Sequence, residues 1–411
     1  MSILLGWKSR LSRALRGGRI LALAAGVALA GLISLPKASF AQDDSEDISM
    51  GMDGLGWSLR KSTIESMADV LKLTPEQRKT TLDLYGTYNG QAKDAAKKVM
   101  EFMQGMQPGM TGMPSKEDMK KLMEASENYS EYASGLETKF MDDFKATLTA
   151  EQTALWPKAE RRKRLADAGT SGPMGGGTVD LVGVARSVMP DGKLPEEAAA
   201  AVEQYEQDMD AAVAPYLEWR KSFEKKMKEI GEEIGGKSME EMQAYGMKMM
   251  KEASEKARPA TEVNNRSLSK MASSLPENVR DRFQVAYYRA AYFQYVDQQG
   301  PQIDKAFDAA MKMDGITEEQ KKSLAEIRRT HDADTLALYK PTAEARDKEM
   351  KEAASPEAMW GGQSMQELYQ KGPAIAKATI EKVRKALTPE LLAKLPAPFK
   401  TVEVKEPTFE E

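Results

Sequence analysis

The chain has 411 residues, no cysteine, a single histidine and a formal net charge of −4. The lack of cysteine excludes disulfides, thiolate metal sites and cysteine nucleophiles, and a single histidine excludes histidine-based metal clusters. Apart from the stretch "RRKR" at 161–164 there is no long basic run, so an acidic chain of this kind is a poor nucleic-acid binder.

Residues 1–41 have the pattern of a secretory signal peptide. A basic N-terminal region precedes the apolar run 20–34, and the small residues Ser39 and Ala41 form a cleavage pattern. The run is too short to span a bilayer comfortably, which disfavours an uncleaved anchor. We expect cleavage after Ala41, a periplasmic or secreted protein, and no membrane span in the mature chain. The segment holds six basic and no acidic residues, so cleavage takes the net charge from −4 to −10.

The chain after the signal segment has a helical composition. An acidic leader at 42–56, which we expect to be disordered, precedes long stretches rich in Ala, Glu, Lys, Met and Gln with few β-branched runs. Two short landmarks recur: the first begins at Leu73, Leu194 and Ile316, and the second at Leu148, Leu275 and Leu387. The first landmarks start 121 residues apart (73 to 194) and 122 apart (194 to 316). Such spacing indicates an internal repeat.

The landmarks predict an all-α fold with three tandem repeats, elongated or curved. Each repeat is expected to be a long helical hairpin flanked by shorter helices. The predicted repeats are 57–169, 179–300 and 301–411, the last with a C-terminal tail, and a Gly-rich linker occupies 170–178.

Helix-capping residues give the landmarks a structural reason. In a capping box the Thr hydroxyl oxygen accepts a hydrogen bond from the backbone amide three residues later. The Gln side chain at that later position accepts a hydrogen bond from the backbone amide of the Thr. Three such pairs occur: Thr74 with Gln77, Thr149 with Gln152, and Thr317 with Gln320. We also expect Ser115, Ser238 and Ser364 to cap the return helices of the three hairpins. From Pro75 a helix is expected to run to about Met103.

The first repeat resembles the Spy/CpxP family of periplasmic LTxxQ-motif proteins. The resemblance rests on "LKLTPEQ" (71–77) and "LTAEQTALWPKAERRKRL" (148–165), with "ITEEQ" (316–320) and the partial "LTPEL" (387–391) in the third repeat. In the second repeat both landmarks read Leu-Pro-Glu and lack the threonine. The resemblance implies a curved, all-helical, ATP-independent chaperone or envelope-stress protein. Some members of that family bind or sense metals.

Three further features have ordinary structural interpretations. The aromatic residues of 277–301, a stretch that reads as one helix ending at Gly300-Pro301, follow i, i+4 steps and are expected to pack in a core. The basic run 161–164 suits the C-terminal end of a helix, where cations favour the helix dipole. His331 is expected to be a surface or packed histidine rather than a metal ligand.

The methionines admit three interpretations. Thioether sulfurs can bind Cu(I), and such a site could use Met103, Met106, Met110 and Met113. The same residues can be hairpin-tip packing, or a flexible apolar surface for unfolded chains. The sequence leaves all three open.

We therefore expect an exported, non-enzymatic helical protein that binds unfolded or envelope proteins through apolar faces. The alternatives are a metal-responsive or Cu(I)-buffering protein and a structural or scaffolding envelope protein. No catalytic residues and no cofactor are predicted. The stretch "GEEIGGKS" (231–238) matches a phosphate-binding loop, but a charged helical segment precedes it where that loop needs a buried strand. The sequence does not determine the oligomeric state.

Overall fold

The computed structural model of the chain describes residues 59–105, 116–168, 178–234, 239–293, 297, 299–352 and 363–400. These ranges contain thirteen α-helices, one 3₁₀ turn, one π-helical turn and no β-strand, which confirms the all-α prediction. The helices are α1 Lys61–Val70, α2 Pro75–Gly105, α3 Lys116–Ala146, α4 Ala150–Ala154, α5 Trp156–Ala168, α6 Leu181–Val188, α7 Ala199–Ile234, α8 Met239–Ser273, α9 Glu277–Tyr288, α10 Gly300–Met311, α11 Glu318–Glu352, α12 Gln363–Ala386 and α13 Pro389–Leu392.

The signal segment 1–41, the leader 42–56, nearly all of the linker 170–178 and the end of the C-terminal tail lie outside the described residues. In the described part, α2 begins at Pro75 as expected and runs 31 residues to Gly105. Its length is about 46 Å at 1.5 Å per residue. No helix within the described ranges is both long and apolar enough to cross a membrane.

The chain forms two compact units. Among the described residues, the first unit comprises those up to 168 together with Glu206–Ala260, and the second unit comprises 178–205 and those from Thr261 to 400. Both boundaries at 205 and 260 fall inside helices, α7 and α8. The three tandem repeats stay a prediction from the sequence.

Aromatic side chains fill the core of the first unit. Rings from α2, α3 and α5 are in contact along the hairpin, with Phe144 meeting Trp156 edge to face at 5.6 Å between centroids. Phe140 contacts both Tyr85 and Tyr88 on α2. Burial of rings of this size dominates the stability of such a core, and truncating one to alanine typically costs about 3–5 kcal/mol.

The basic run 161–164 corrects our expectation, because it lies in the middle of α5 and reaches carboxylates on another helix. Arg162 is buried, donates from Nε to the Ser66 hydroxyl on α1 at 3.1 Å, and lies 3.4 Å from Glu206 on α7. Arg164 makes a two-point pair with Asp210, also on α7. The run thus pairs with α7 residues of the first unit instead of interacting with a helix end.

Most of the aromatic row of 277–301 is buried as predicted: Phe283, Tyr287, Tyr288 and Phe293 belong to the core of the second unit. Tyr292 is half-buried, with its hydroxyl donating to Asp347 at 3.0 Å, and Tyr295 lies outside the described residues. The prediction of one continuous helix over 277–301 is wrong. The α-helical pattern of α9 ends at Tyr288, five residues form a π turn (Arg289–Phe293), and Gly300 begins α10. The physical reason is that proline is tolerated in the first turn of a helix, so Gly300-Pro301 starts a helix rather than ending one.

Candidate functional site

Capping boxes form at all three Thr/Gln motifs. The backbone amide of Gln77 donates to Thr74 Oγ1, and the Thr74 amide donates to Gln77 Oε1 at 3.0 Å. The same reciprocal bonds join Thr149 with Gln152 and Thr317 with Gln320. Ser115 and Ser238 lie outside the described residues.

The cap predicted at Ser364 is different. Ser364 lies inside α12, whose first residue is Gln363. Its hydroxyl donates to Glu349 Oε2 on α11 at 2.6 Å, and its amide donates to Glu349 Oε1 at 3.0 Å. The Glu349 carboxylate of the neighbouring helix is therefore the acceptor at the start of α12. In the predicted cap, the Ser364 hydroxyl itself would have been the acceptor.

Two of the capping glutamines also bond to each other. Gln77 Nε2 donates to Gln152 Oε1 at 2.8 Å, and Gln152 Nε2 donates to Gln77 Oε1 at 2.9 Å. Gln77 Nε2 is also 3.1 Å from the Thr147 carbonyl. Each amide thus caps its own helix and pairs with a motif 75 residues away, which ties the start of α2 to the start of α4 at the base of the hairpin.

The matching landmarks of the second unit lack such an amide pair. Gln320 keeps its box with Thr317, but Leu391 stands where the first unit has Gln152, and Leu391 is buried in the core. The Pro195 and Pro276 caps of the middle segment make no side-chain cap bond.

A cluster of charged side chains lies in the interior of the second unit instead. Arg289 donates from Nε to Asp297 Oδ2 and from Nη1 to Asp304 Oδ2, both at 2.7 Å. Arg328 on α11 pairs with Asp308 on α10 at 2.5 Å and lies 3.7 Å from Asp304. The Tyr339 hydroxyl also donates to Asp297.

Asp297 and Gly300 make the Arg289 pair geometrically tight. The Gly300 amide donates to Asp297 Oδ1 at 2.8 Å, so this carboxylate caps α10. A Cβ on Gly300 would overlap both Asp297 Oδ2 and Arg289 Nη2. Only glycine fits this close approach of backbone to an ion pair.

The cluster shifts the pKa values of its members in opposite directions. Burial alone would lower the pKa of Arg289, but Asp304 and Asp297 outweigh it and raise that pKa. Burial and the nearby Asp304 charge raise the pKa of Asp332 to about 7, against the opposing effect of Arg328 and Arg282. Burial lowers the pKa of His331, which keeps the imidazole neutral at pH 7.

A cavity of about 260 Å³ lies beside this cluster, between the π turn, α10, α11 and α12. Arg289, Asp297, His331 and Tyr339 line it on the polar side. His331 is buried, which agrees with the packed rather than the surface interpretation of this residue. Its Nδ1 is 2.9 Å from the Thr379 hydroxyl, and its Nε2 has no hydrogen-bond partner among the described residues.

Metal sites of the ordinary kind are not formed by the described residues. No group of three His, Asp or Glu side chains in those ranges is placed to hold a metal ion. Of the methionines considered for Cu(I), Met103 is in the last turn of α2, and Met106, Met110 and Met113 lie outside the described residues.

The sequence predicts an ordinary role for His331 and does not single out the cluster around Arg289. Two signals are present: the sole histidine lies in "HDAD" at 331–334, and Gly300-Pro301 follows an aspartate closely. Neither signal tells which residues meet in space. Comparison with family models, with curated proteins and with solved structures gives no match to this chain. The resemblance to LTxxQ-motif proteins therefore rests on the motifs alone.

Proposed function

We propose that this protein is an exported, non-enzymatic protein that binds unfolded or envelope proteins without ATP, as LTxxQ-motif chaperones do. The observation that carries the proposal is the reciprocal pair between Gln77 and Gln152. It gives the LTxxQ spacing a physical purpose, since both glutamines of the motif pair are used twice, in a cap and in the closure of the hairpin.

The surface of the α2–α3 hairpin supports weak, charge-assisted contacts with many partners. Ion pairs at i, i+4 spacing follow the hairpin on both helices, and their members are largely exposed: Lys79–Asp83, Lys97–Glu101, Lys120–Glu124, Lys121–Glu117 and Lys139–Asp143. Such pairs contribute little to stability, so charges of both signs can exchange these partners for those of a client. Among described residues of the hairpin, Tyr132 is a large exposed apolar side chain, 50 % accessible.

We assign the apolar part of client binding to the methionine-rich stretch 100–113, on sequence grounds. Methionine's flexible thioether adapts to differently shaped partners, which suits promiscuous binding. The same stretch carries the Cu(I) alternative, so the test must separate the two.

The test uses the chain 42–411 and a chemically denatured client whose aggregation is followed by light scattering. We expect suppression at a near-stoichiometric ratio without ATP. Replacing Met103, Met106, Met110 and Met113 with Leu should preserve suppression, because apolar surface is kept, whereas replacing them with Gln should weaken it several-fold. No suppression by the wild type would overturn the proposal.

Copper titration with a competing chelator completes the experiment. Tight Cu(I) binding that is lost in the Leu variant, together with an inactive wild type in the scattering assay, would favour the copper-buffering alternative. A protein inactive in both assays would favour a scaffolding role. Export is checked separately by the mass of the protein recovered from the cell envelope, which should begin at Gln42.

A further inference from the structure

The cavity in the second unit has the size of a small-molecule site. Its volume of about 260 Å³ exceeds the roughly 150 Å³ that holds a benzene molecule in an engineered apolar cavity. A substituted benzene, or an aliphatic molecule of similar bulk, fits this volume. Drug-sized ligands usually need more, from about 300 Å³ upward.

The walls are mainly apolar. Ile303 from α10, Leu338 from α11 and Leu368, Ile375 and Ala376 from α12 line the space. The aromatic ring of Tyr369 lines it too and is 61 % exposed, although large apolar side chains elsewhere in the described ranges are mostly covered. An exposed aromatic side chain at a cavity of this kind indicates a way in for an apolar molecule.

The charged side chains on the wall already neutralise one another. Arg289 is engaged by Asp297 and Asp304, and Asp297 in turn accepts bonds from the Tyr339 hydroxyl and the Gly300 amide. A charged ligand would lose its hydration on entering the cavity and would gain no unpaired opposite charge in return. This wall therefore favours an uncharged ligand.

His331 supplies the one buried polar side-chain atom that still needs a partner among the described residues lining the cavity. The bond between the Thr379 hydroxyl and His331 Nδ1 can have its proton on either side. We assign the hydroxyl as donor and Nδ1 as acceptor, because the hydroxyl proton then has an acceptor. This tautomer places the ring proton on Nε2, which is buried without an acceptor. A buried donor without an acceptor lowers the stability of the folded state by about 1–3 kcal/mol, and a leucine at this position would not carry that cost.

We propose that this cavity binds a small, uncharged, mainly apolar molecule that carries one hydrogen-bond-accepting oxygen, which the imidazole of His331 recognises. The chemical class is that of aromatic or branched aliphatic ketones and comparable neutral oxygen compounds. The site is independent of the client-binding surface proposed for the first unit. Binding involves no covalent step.

Three molecules of nearly equal shape test the proposal on the chain 42–411 by isothermal titration calorimetry. Acetophenone has the ring and one acceptor oxygen, α-methylstyrene replaces that oxygen by a carbon, and benzoate adds a charge. We expect acetophenone to bind about tenfold more tightly than α-methylstyrene, the equivalent of one hydrogen bond. Benzoate should bind most weakly.

Two variants locate the binding. In His331→Leu the preference for acetophenone over α-methylstyrene should fall from about tenfold to about one, because the donor is gone. Gly372 lines the cavity, and a Cβ there meets no atom within 4 Å, so Gly372→Leu can fill the space without a clash. It should abolish binding of both neutral molecules.

Gly86→Leu is the matched control, because Gly86 is also a helical glycine with no atom within 4 Å of its Cβ but belongs to the first unit. It should leave all three affinities unchanged. Absence of acetophenone binding by the wild type would overturn the proposal. So would equal affinity for acetophenone and α-methylstyrene, tighter binding of benzoate, or binding that survives Gly372→Leu.

Discussion

The two units stabilise their long hairpins by different chemistry. In the first unit a neutral amide pair, Gln77 with Gln152, joins the two motifs, and aromatic rings fill the space behind it. In the second unit Leu391 replaces the second glutamine, and the interior near α11 contains arginines, aspartates and the sole histidine. One helix-start motif, the Thr/Gln box, is common to both.

The difference shows which of the two regions contains a hydrogen-bonding group that a ligand could satisfy. Neutral amides that bond reciprocally satisfy one another, so the pair of Gln77 and Gln152 leaves no amide group over for a small ligand. Buried ions need several partners each, and the second unit provides them beside a cavity and an imidazole nitrogen that lacks an acceptor within the described ranges. Unsatisfied polar groups beside a cavity are a more specific sign of binding than the motifs themselves.

The largest expected effect comes from removing the cation of the second unit. Arg289→Met removes the cation that is paired with Asp297. Asp304 also loses this partner and keeps only the more distant Arg328 among the ion pairs described for it. Breaking a buried ion pair from one side typically costs about 3–5 kcal/mol. Urea unfolding, with hydrogen exchange of α10 to α12 to locate the loss, measures it. The surface variant Lys79→Met serves as control and should cause no measurable change; an equal effect of both would contradict the contrast between the two regions.

Asp332→Asn should change how the stability of the second unit depends on pH. The folded state holds the Asp332 proton up to a pKa of about 7, whereas the unfolded chain releases it near 3.8. The resulting stabilisation is fully present below pH 3.8 and is lost as the pH rises through 7. At pH 8 the variant should therefore be more stable than the wild type by about 2–4 kcal/mol, and at about pH 4 nearly equal to it.

Urea titrations at a series of pH values check this prediction. His331 acts in the opposite direction, since its lowered pKa costs stability as the pH falls below its ordinary value of 6.5, but it is present in both proteins and cancels. The exposed residue Asp314 provides the control: Asp314→Asn also removes one carboxylate of the second unit and should change stability at pH 8 much less than Asp332→Asn does. A parallel profile for Asp332→Asn and wild type would show that the carboxyl is not buried as an ion at alkaline pH.

Alanine at two glycines should change stability with opposite sign. Gly300→Ala forces a Cβ into the Arg289–Asp297 pair and should cost about 2 kcal/mol or more. Gly86→Ala adds a Cβ that meets nothing in the middle of α2, so it should stabilise the first unit by about 0.5–1 kcal/mol through helix propensity. Urea denaturation of both variants distinguishes them; the same sign for the two would contradict the close approach at Gly300.

An effect as small as that of Gly86→Ala is expected for the amide pair of the first unit. In a double-mutant cycle, Gln77→Ala and Gln152→Ala should show a coupling of about 1 kcal/mol, because each loses the other's bond as well as its own cap. Urea unfolding followed by circular dichroism at 222 nm measures the stability of all variants. Gln320→Ala paired with Leu391→Ala should show no comparable polar coupling. Strictly additive losses for Gln77 and Gln152 would exclude the pair as a stabilising contact.

Local chemistry made part of this molecule readable from its sequence. The start of α2 at Pro75 follows from a threonine cap, a proline in the first turn and a glutamine three residues beyond the cap. The burial of Phe283 and Tyr287 follows from their spacing on one helix face. The helix predicted across 277–301 failed because proline is compatible both with the first turn of a helix and with the residues just beyond its last turn. The sequence alone did not distinguish the two.

The sequence by itself determined the helical class, the helix starts at the three Thr/Gln boxes and the buried positions of Phe283 and Tyr287, because those depend on neighbours within about four residues. Only the tertiary structure decided that Gln77 meets Gln152, that the basic residues of 161–164 meet α7, and that Arg289, Asp297 and His331 surround one cavity. Most of these contacts join residues tens of positions apart, and a side chain's partner at that distance depends on how whole helices pack. The methionines at 100–113 remain a prediction of the first kind, and the cavity beside His331 is a finding of the second.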